Sequence, residues 1–124
     1  AFRTNHFVHA RMTIIYHIAR EPDWRTAQGL GFYKGGDTFD KEGFIHFSNA
    51  KEIRASAELY YQGMADLLLI AVFDCKLGTA LKWERSRGGK FFPHLYAYLD
   101  PSDVEWVKPL RLGKNGLHIF PTLE

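Results

Sequence analysis

Residues 67–73 read Leu-Leu-Leu-Ile-Ala-Val-Phe, the longest apolar run in the chain. A membrane-crossing helix needs about 20 apolar residues, so this run is too short to be one. Its length suits a strand buried on both faces, at the centre of its sheet. No other stretch is apolar enough to span a bilayer either, and no membrane association is expected.

The segments before and after this run set the fold class. Residues 13–18, Thr-Ile-Ile-Tyr-His-Ile, are rich in β-formers and predict a strand. Pro22 suits a first helical turn, and Trp24, Ala27 and Gln28 follow in a short helix that Gly29 is expected to stop. Residues 29–43 hold Gly29, Gly31, Gly35, Gly36 and Gly43. This is a long connection, the kind that serves as a binding loop or lid, and a plain flexible connector is an equal alternative. Residues 43–48 form a short strand whose alternation puts Phe44, His46 and Ser48 on one face and Ile45 and Phe47 on the other. Asn49 with Glu52 fits a capping box. Ile53, Ala57, Tyr60, Tyr61 and Met64 then recur at helical spacing, predicting a helix over 50–62 with Gly63 as its stop.

After the central run the chain carries short strands. They are expected over 80–84, 93–99, 104–110 and 117–120, with a turn at Asp100–Asp103. His94, Tyr96 and Tyr98 share one face of the second, and Pro109 favours an edge position for the third. Two helices come early, about six strands come mostly late, and no βαβ rhythm persists. The expected class is α+β, with a strongly bent, mostly antiparallel sheet. Residues 12–124 are expected to form one domain. Ala1–Arg11 reads as an irregular, partly basic leader before Met12, and His6 and His9 carry little functional weight there.

The formal charge is +2, from 16 basic and 14 acidic residues, which is too even for the basic stripe of a nucleic-acid binder. Arg85, Arg87 and Lys90 do cluster beside Glu84, and they read either as a solvated loop or as an anion contact. Cys75 is the only cysteine, so no internal disulfide forms, in keeping with a reducing, cytoplasmic setting.

Four polar residues occupy strand positions where core residues are expected: His17, His46, Glu84 and His94. Taken singly, each suits a satisfied structural group. Taken together, several buried polar groups in one small domain point to a shared cavity, because each needs a partner. No close histidine pair of the H-x-H or H-E-x-x-H kind occurs, so no metal is expected. Ser48 lies two residues after His46 but has no glycine elbow, and helix capping accounts for it. The glycine-rich 29–43 segment lacks the G-K-[ST] ending of a phosphate-binding loop. What remains is a small molecule of nucleotide or sugar type. Histidine and serine hold hydroxyls, and tyrosine stacks on flat rings, although Tyr16, Tyr33, Tyr96 and Tyr98 are core or rim by default.

Four segments resemble the bacterial domain-of-unknown-function 952 family over about residues 13–111. They are Ile15-Tyr16-His17-Ile18, Gly43-Phe44-Ile45-His46-Phe47-Ser48, Trp83-Glu84 and Phe92-Pro93-His94-Leu95-Tyr96. Ala97 departs from the family's glycine. The family is similar to the ADP-ribosyltransferase superfamily, and that resemblance implies a split-sheet cleft that takes NAD as substrate rather than as a resident cofactor. It further implies that His17 binds the adenosine-side ribose and that Phe44 to Ser48 shape the nicotinamide pocket. Glu84 would hold the nicotinamide ribose, while His94 and Tyr96 belong to the family's own pattern. The expected site is therefore Glu84, His94 and His46 for chemistry, with His17, Ser48, Tyr96 and Phe44 for binding. Three readings stay open: a small-molecule binding module, an enzyme acting at the ribose–nicotinamide bond, and a structural protein whose histidines are satisfied core groups.

Overall fold

Six consecutive residues, Leu67 to Val72, are buried, as a strand covered on both faces requires. The computed structural model describes residues 13–123; the leader expected over Ala1–Arg11, and Met12, lie outside them. The buried run forms β3 (Leu67–Phe73), an inner strand of a four-stranded antiparallel sheet. β1 (Ile14–Arg20) flanks it on one side and β6 (Trp106–Leu112) on the other, with β7 (His118–Ile119) beyond. β1 and β3 pair from Ile14 opposite Phe73 to Arg20 opposite Leu67. Pro109 lies on the part of β6 that β7 does not reach, since β7 pairs only with Arg111 and Leu112.

Strand alternation sorts the side chains of this sheet into two cores. Ile14, Tyr16, Ile18, Leu67, Leu69 and Ala71 face α3 (Ala50–Tyr60), which contributes Ile53 and Ala57. Ile15, Ala19, Leu68, Ile70 and Val72 face the other way. They meet Trp24 and Ala27 of α1 (Glu21–Leu30) together with Ile45, Phe47 and Leu95 from a second sheet. That sheet has three antiparallel strands in the order β2 (Ile45–His46), β5 (Phe91–Leu95), β4 (Leu81–Arg85). The fold is α+β with antiparallel sheets, as expected.

The two sheets touch where Tyr16 and Ser48 exchange backbone hydrogen bonds, both 2.8 Å. Continued in register, that ladder would next pair Ile18 with His46. Instead the strands part, and the His46 carbonyl accepts a hydrogen bond from the His17 imidazole at 2.6 Å. A side chain thus satisfies backbone at the split, where an orphaned carbonyl would be unfavourable.

Several local expectations are corrected. α1 runs through Gly29 to Leu30, because Gly31 takes the left-handed cap (φ 88°) and donates its N–H to the Ala27 carbonyl. The 29–43 segment is pinned rather than loose. Tyr33 is buried and pairs with Leu99, and a third helix, α2 (Thr38–Glu42), closes the segment. Helix α3 stops at Tyr60, ahead of Gly63, which lies in the following turn. Its capping box is half formed. The Asn49 side chain accepts from the Glu52 N–H, but the Glu52 carboxylate turns to Arg87 and Lys90. The strand expected over 93–99 is β5, ending at Leu95. Beyond it the Tyr96 N–H bonds to Ala80, and Leu99 leaves to pair with Tyr33.

Candidate functional site

Where the two sheets diverge, they leave a cleft of about 890 Å³. β1, the 33–42 segment, the strand around β2, α3 and the β4–β5 turn all contribute walls. His17, His46, Ser48 and His94 line it together. Phe44, Glu84 and Tyr96 do not line it; they hold His94 from behind.

His94 carries the most informative geometry. It is buried, and its ring stacks on Phe44 with centroids 4.1 Å apart. The Nδ1–H donates to Glu84 Oε1 at 2.8 Å, and the same oxygen accepts the Tyr96 hydroxyl at 2.6 Å. A carboxylate is only an acceptor, so this pairing puts a proton on Nδ1 of His94. Tyr96 and then His94 hold the Glu84 carboxyl below its usual range, while Glu84 pushes the Tyr96 phenol up. The opposite ring nitrogen, Nε2, is buried and has no protein partner. A buried polar atom left unmatched is unfavourable, and Nε1 of Trp24 is in the same state.

The other two histidines are engaged. His17 has both ring nitrogens occupied: Nδ1–H donates to the His46 carbonyl, and Nε2 accepts the Tyr33 hydroxyl at 2.6 Å. Burial lowers its pKa to about 4, opposed by the bond to the His46 carbonyl, so it is neutral at ordinary pH. Burial likewise raises the Tyr33 phenol and keeps it a donor. His46, opposite His94 in the β2–β5 register, is exposed and hydrogen-bonded through Nε2 to Glu42. Its ring lies edge-on to His94 at 5.3 Å.

Further along the wall, Ser48 Oγ lies 3.2 Å from Ser56 Oγ, which accepts from Arg87 at 3.3 Å. Glu52 takes Lys90 at 2.9 Å and Arg87 at 3.5 Å, and these cations, Lys90 first, hold its carboxyl low. Of the basic cluster beside Glu84, Arg87 therefore turns to the cleft. Arg85 instead stacks on Phe91 and bonds the Gly89 carbonyl. Among the described residues no group of three or more His, Cys, Asp or Glu side chains is arranged to hold a metal. Nor is any helix among them long and apolar enough to cross a membrane.

The family model described as "Protein of unknown function (DUF952)" matches residues 18–107. The chain belongs to the DUF952 family. His46, Glu84 and His94 all fall within the matched span, and His17 lies one residue before it. Solved structures of a Caulobacter crescentus protein, CC0527, share its fold. The crystal structure is 38% identical with a TM-score of 0.83, covering 86% of this chain and 94% of that one. The solution structure is 40% identical with a TM-score of 0.77, over 86% and 91%. No curated protein matches the chain.

In this DUF952 fold the three histidines line one cleft, as expected from the sequence, and three partners of the expected site residues join them: Glu42, Tyr33 and Ser56. Glu42 sits four residues before His46, a helical spacing that reaches the strand because α2 runs almost directly into β2. Tyr33 looked like core. Ser56 is half-buried at the flank of the apolar face of α3, three residues after Ile53, and only the tertiary fold gives it a polar neighbour.

Proposed function

We propose that the cleft binds a small polar molecule of nucleotide or sugar type, with Nε2 of His94 accepting one of its hydroxyls. The observation that carries this reading is the unmatched, buried Nε2 of His94, a residue that lines the cleft. Glu84 accepts from Nδ1–H, so in the neutral ring the lone pair is on Nε2, and Phe44 stacks on the ring. His17 then acts as the pin of the split rather than as a hydroxyl ligand, because neither of its nitrogens is free. ADP-ribose and NAD are the first ligands to try, on the strength of the family's resemblance to the ADP-ribosyltransferases. A purely structural role for the histidines fits His17 but leaves Nε2 of His94 unmatched.

An enzymatic reading draws support from the carboxylate–imidazole pair. A histidine held by a carboxylate at Nδ1 is suited to take a proton at Nε2. Acting on NAD, it would deprotonate water as the C–N bond to nicotinamide breaks and the C–O bond forms. The proton would end on Nε2, and nicotinamide would leave neutral. Glu84 is then a positioning residue, since its carboxylate is turned to His94 and Tyr96 and does not line the cleft.

Isothermal titration with ADP-ribose and with NAD, on wild type and on His94→Ala, tests both readings. The expected result is binding by wild type and its loss in the variant. Release of nicotinamide distinguishes turnover from binding alone. A folded wild-type protein that binds neither compound would overturn the nucleotide reading.

A further inference from the structure

His46 and His94 stand opposite each other in the β2–β5 pairing. The same register puts Ser48 opposite Phe92, and the Phe47 N–H bonding to Pro93 at 3.0 Å agrees with it. This second rung lies two residues along the strands, about 7 Å from the imidazole rung. All four residues line the cleft.

The second rung has a cationic character that the first lacks. Arg87 stands over the Phe92 ring at 4.9 Å and near the Tyr60 ring at 5.8 Å, which fixes the plane of its guanidinium. Its Nη1 donates to Ser56 Oγ at 3.3 Å, and Ser56 in turn meets Ser48. Its ion pair with Glu52 is long, 3.5 Å, while Lys90 holds the other oxygen of that carboxylate at 2.9 Å. One carboxylate shared by two cations leaves a positive charge over. A guanidinium has five N–H donors, and the two bonds Arg87 makes here are both long, so it retains donors for a further acceptor. The acidic residues that also line the cleft, Asp23, Asp37 and Glu42, come from α1 and the 35–42 segment rather than from this rung.

We propose that Arg87, with the hydroxyls of Ser48 and Ser56, is a phosphate subsite, and that the cleft takes a ribose carrying a phosphate. This rests on the reading that Nε2 of His94 takes a hydroxyl. The spacing between the two rungs is comparable to the reach from a ring hydroxyl of a pentose to its exocyclic phosphate. The guanidinium supplies parallel donors for phosphate oxygens, and the Ser48–Ser56 pair, with one proton shared between the two oxygens, supplies a hydroxyl donor beside it.

The test compares ribose with ribose phosphate by isothermal titration and by amide chemical shifts, on wild type, Arg87→Gln, Ser56→Ala and His94→Ala. Wild type is expected to bind ribose phosphate at least tenfold more tightly than ribose, and raised salt to weaken only the phosphorylated ligand. Arg87→Gln should erase that preference while leaving the affinity for ribose. If Arg87→Gln unfolds, Ser56→Ala should still reduce the preference several-fold. Equal affinity for the two ligands in wild type would overturn the subsite, and His94-dependent ribose binding would leave the cleft reading standing. An Arg87-dependent phosphate preference, with His94→Ala leaving the affinity for both ligands unchanged, would uphold the subsite and overturn the role of His94. If neither ligand binds, both fail.

Discussion

Nδ1 of His94 donates to Glu84 at 2.8 Å, and the ring's other nitrogen is buried without a protein partner. The carboxylate therefore decides which nitrogen carries the proton. Replacing Glu84 by alanine removes that control and leaves Tyr96 without its acceptor. In wild type, the imidazole nitrogen shifts of His94 should report one tautomer, protonated at Nδ1. In Glu84→Ala they should move toward a mixture. Unchanged shifts would mean that Glu84 does not set the tautomer.

An unmatched buried acceptor also predicts a stability signature for His94 itself. Removing such a group relieves a penalty, whereas removing a well-matched group creates one. His94→Phe keeps an aromatic ring against Phe44, and Glu84 is half-exposed, so water can replace the lost imidazole N–H. Denaturant unfolding should place His94→Phe within about 1 kcal/mol of wild type, or above it, while ligand binding is lost. A loss beyond about 2 kcal/mol would make His94 a structural residue.

His17 behaves in the opposite way, because both of its nitrogens are matched. Its pKa is lowered by burial to about 4, against 6.5 in the unfolded chain. Between those values the unfolded state binds a proton that the folded state refuses, so stability falls as pH drops through the window. The full difference is about 3 kcal/mol. His17→Gln should flatten the stability profile between pH 6.5 and the onset of carboxylate titration, at some loss of stability at neutral pH. A profile of wild-type shape in the variant would assign the acid sensitivity to another group.

The contrast between His94 and His17 marks how far the sequence could be read. Both were legible as polar interruptions of strand patterns, because period-two alternation assigns a face to each position. The buried run Leu67–Val72 was legible for the same reason, and it fixed the sheet's centre. Whether a histidine's nitrogens are taken depends on partners far away in the chain. Tyr33 reaches His17 only because it pairs with Leu99, and Arg87 reaches Ser56 only because β4 and β5 turn under α3. The split itself was hidden from local pattern. β2 is two residues long, and its separation from β1 depends on a side chain replacing a ladder bond.

Gly35 ties the 33–42 segment to the site and gives a prediction with its own control. Its φ is +81°, and a Cβ there would come within 3.1 Å of Ile45 Cγ1, beside His46. Ile45 is fully buried, so the clash has no easy outlet. Gly31 has a similar φ of +88° but nothing within 4 Å of an added Cβ. Gly31→Ala should therefore show the conformational term alone, about 1–2 kcal/mol. Gly35→Ala should lose more, about 2–4 kcal/mol, because the Ile45 contact adds to that term. It should also shift the resonances of His46 and Tyr33, which Gly31→Ala should leave in place. Equal losses in the two variants would mean that the segment yields freely at Gly35 and is not packed against β2.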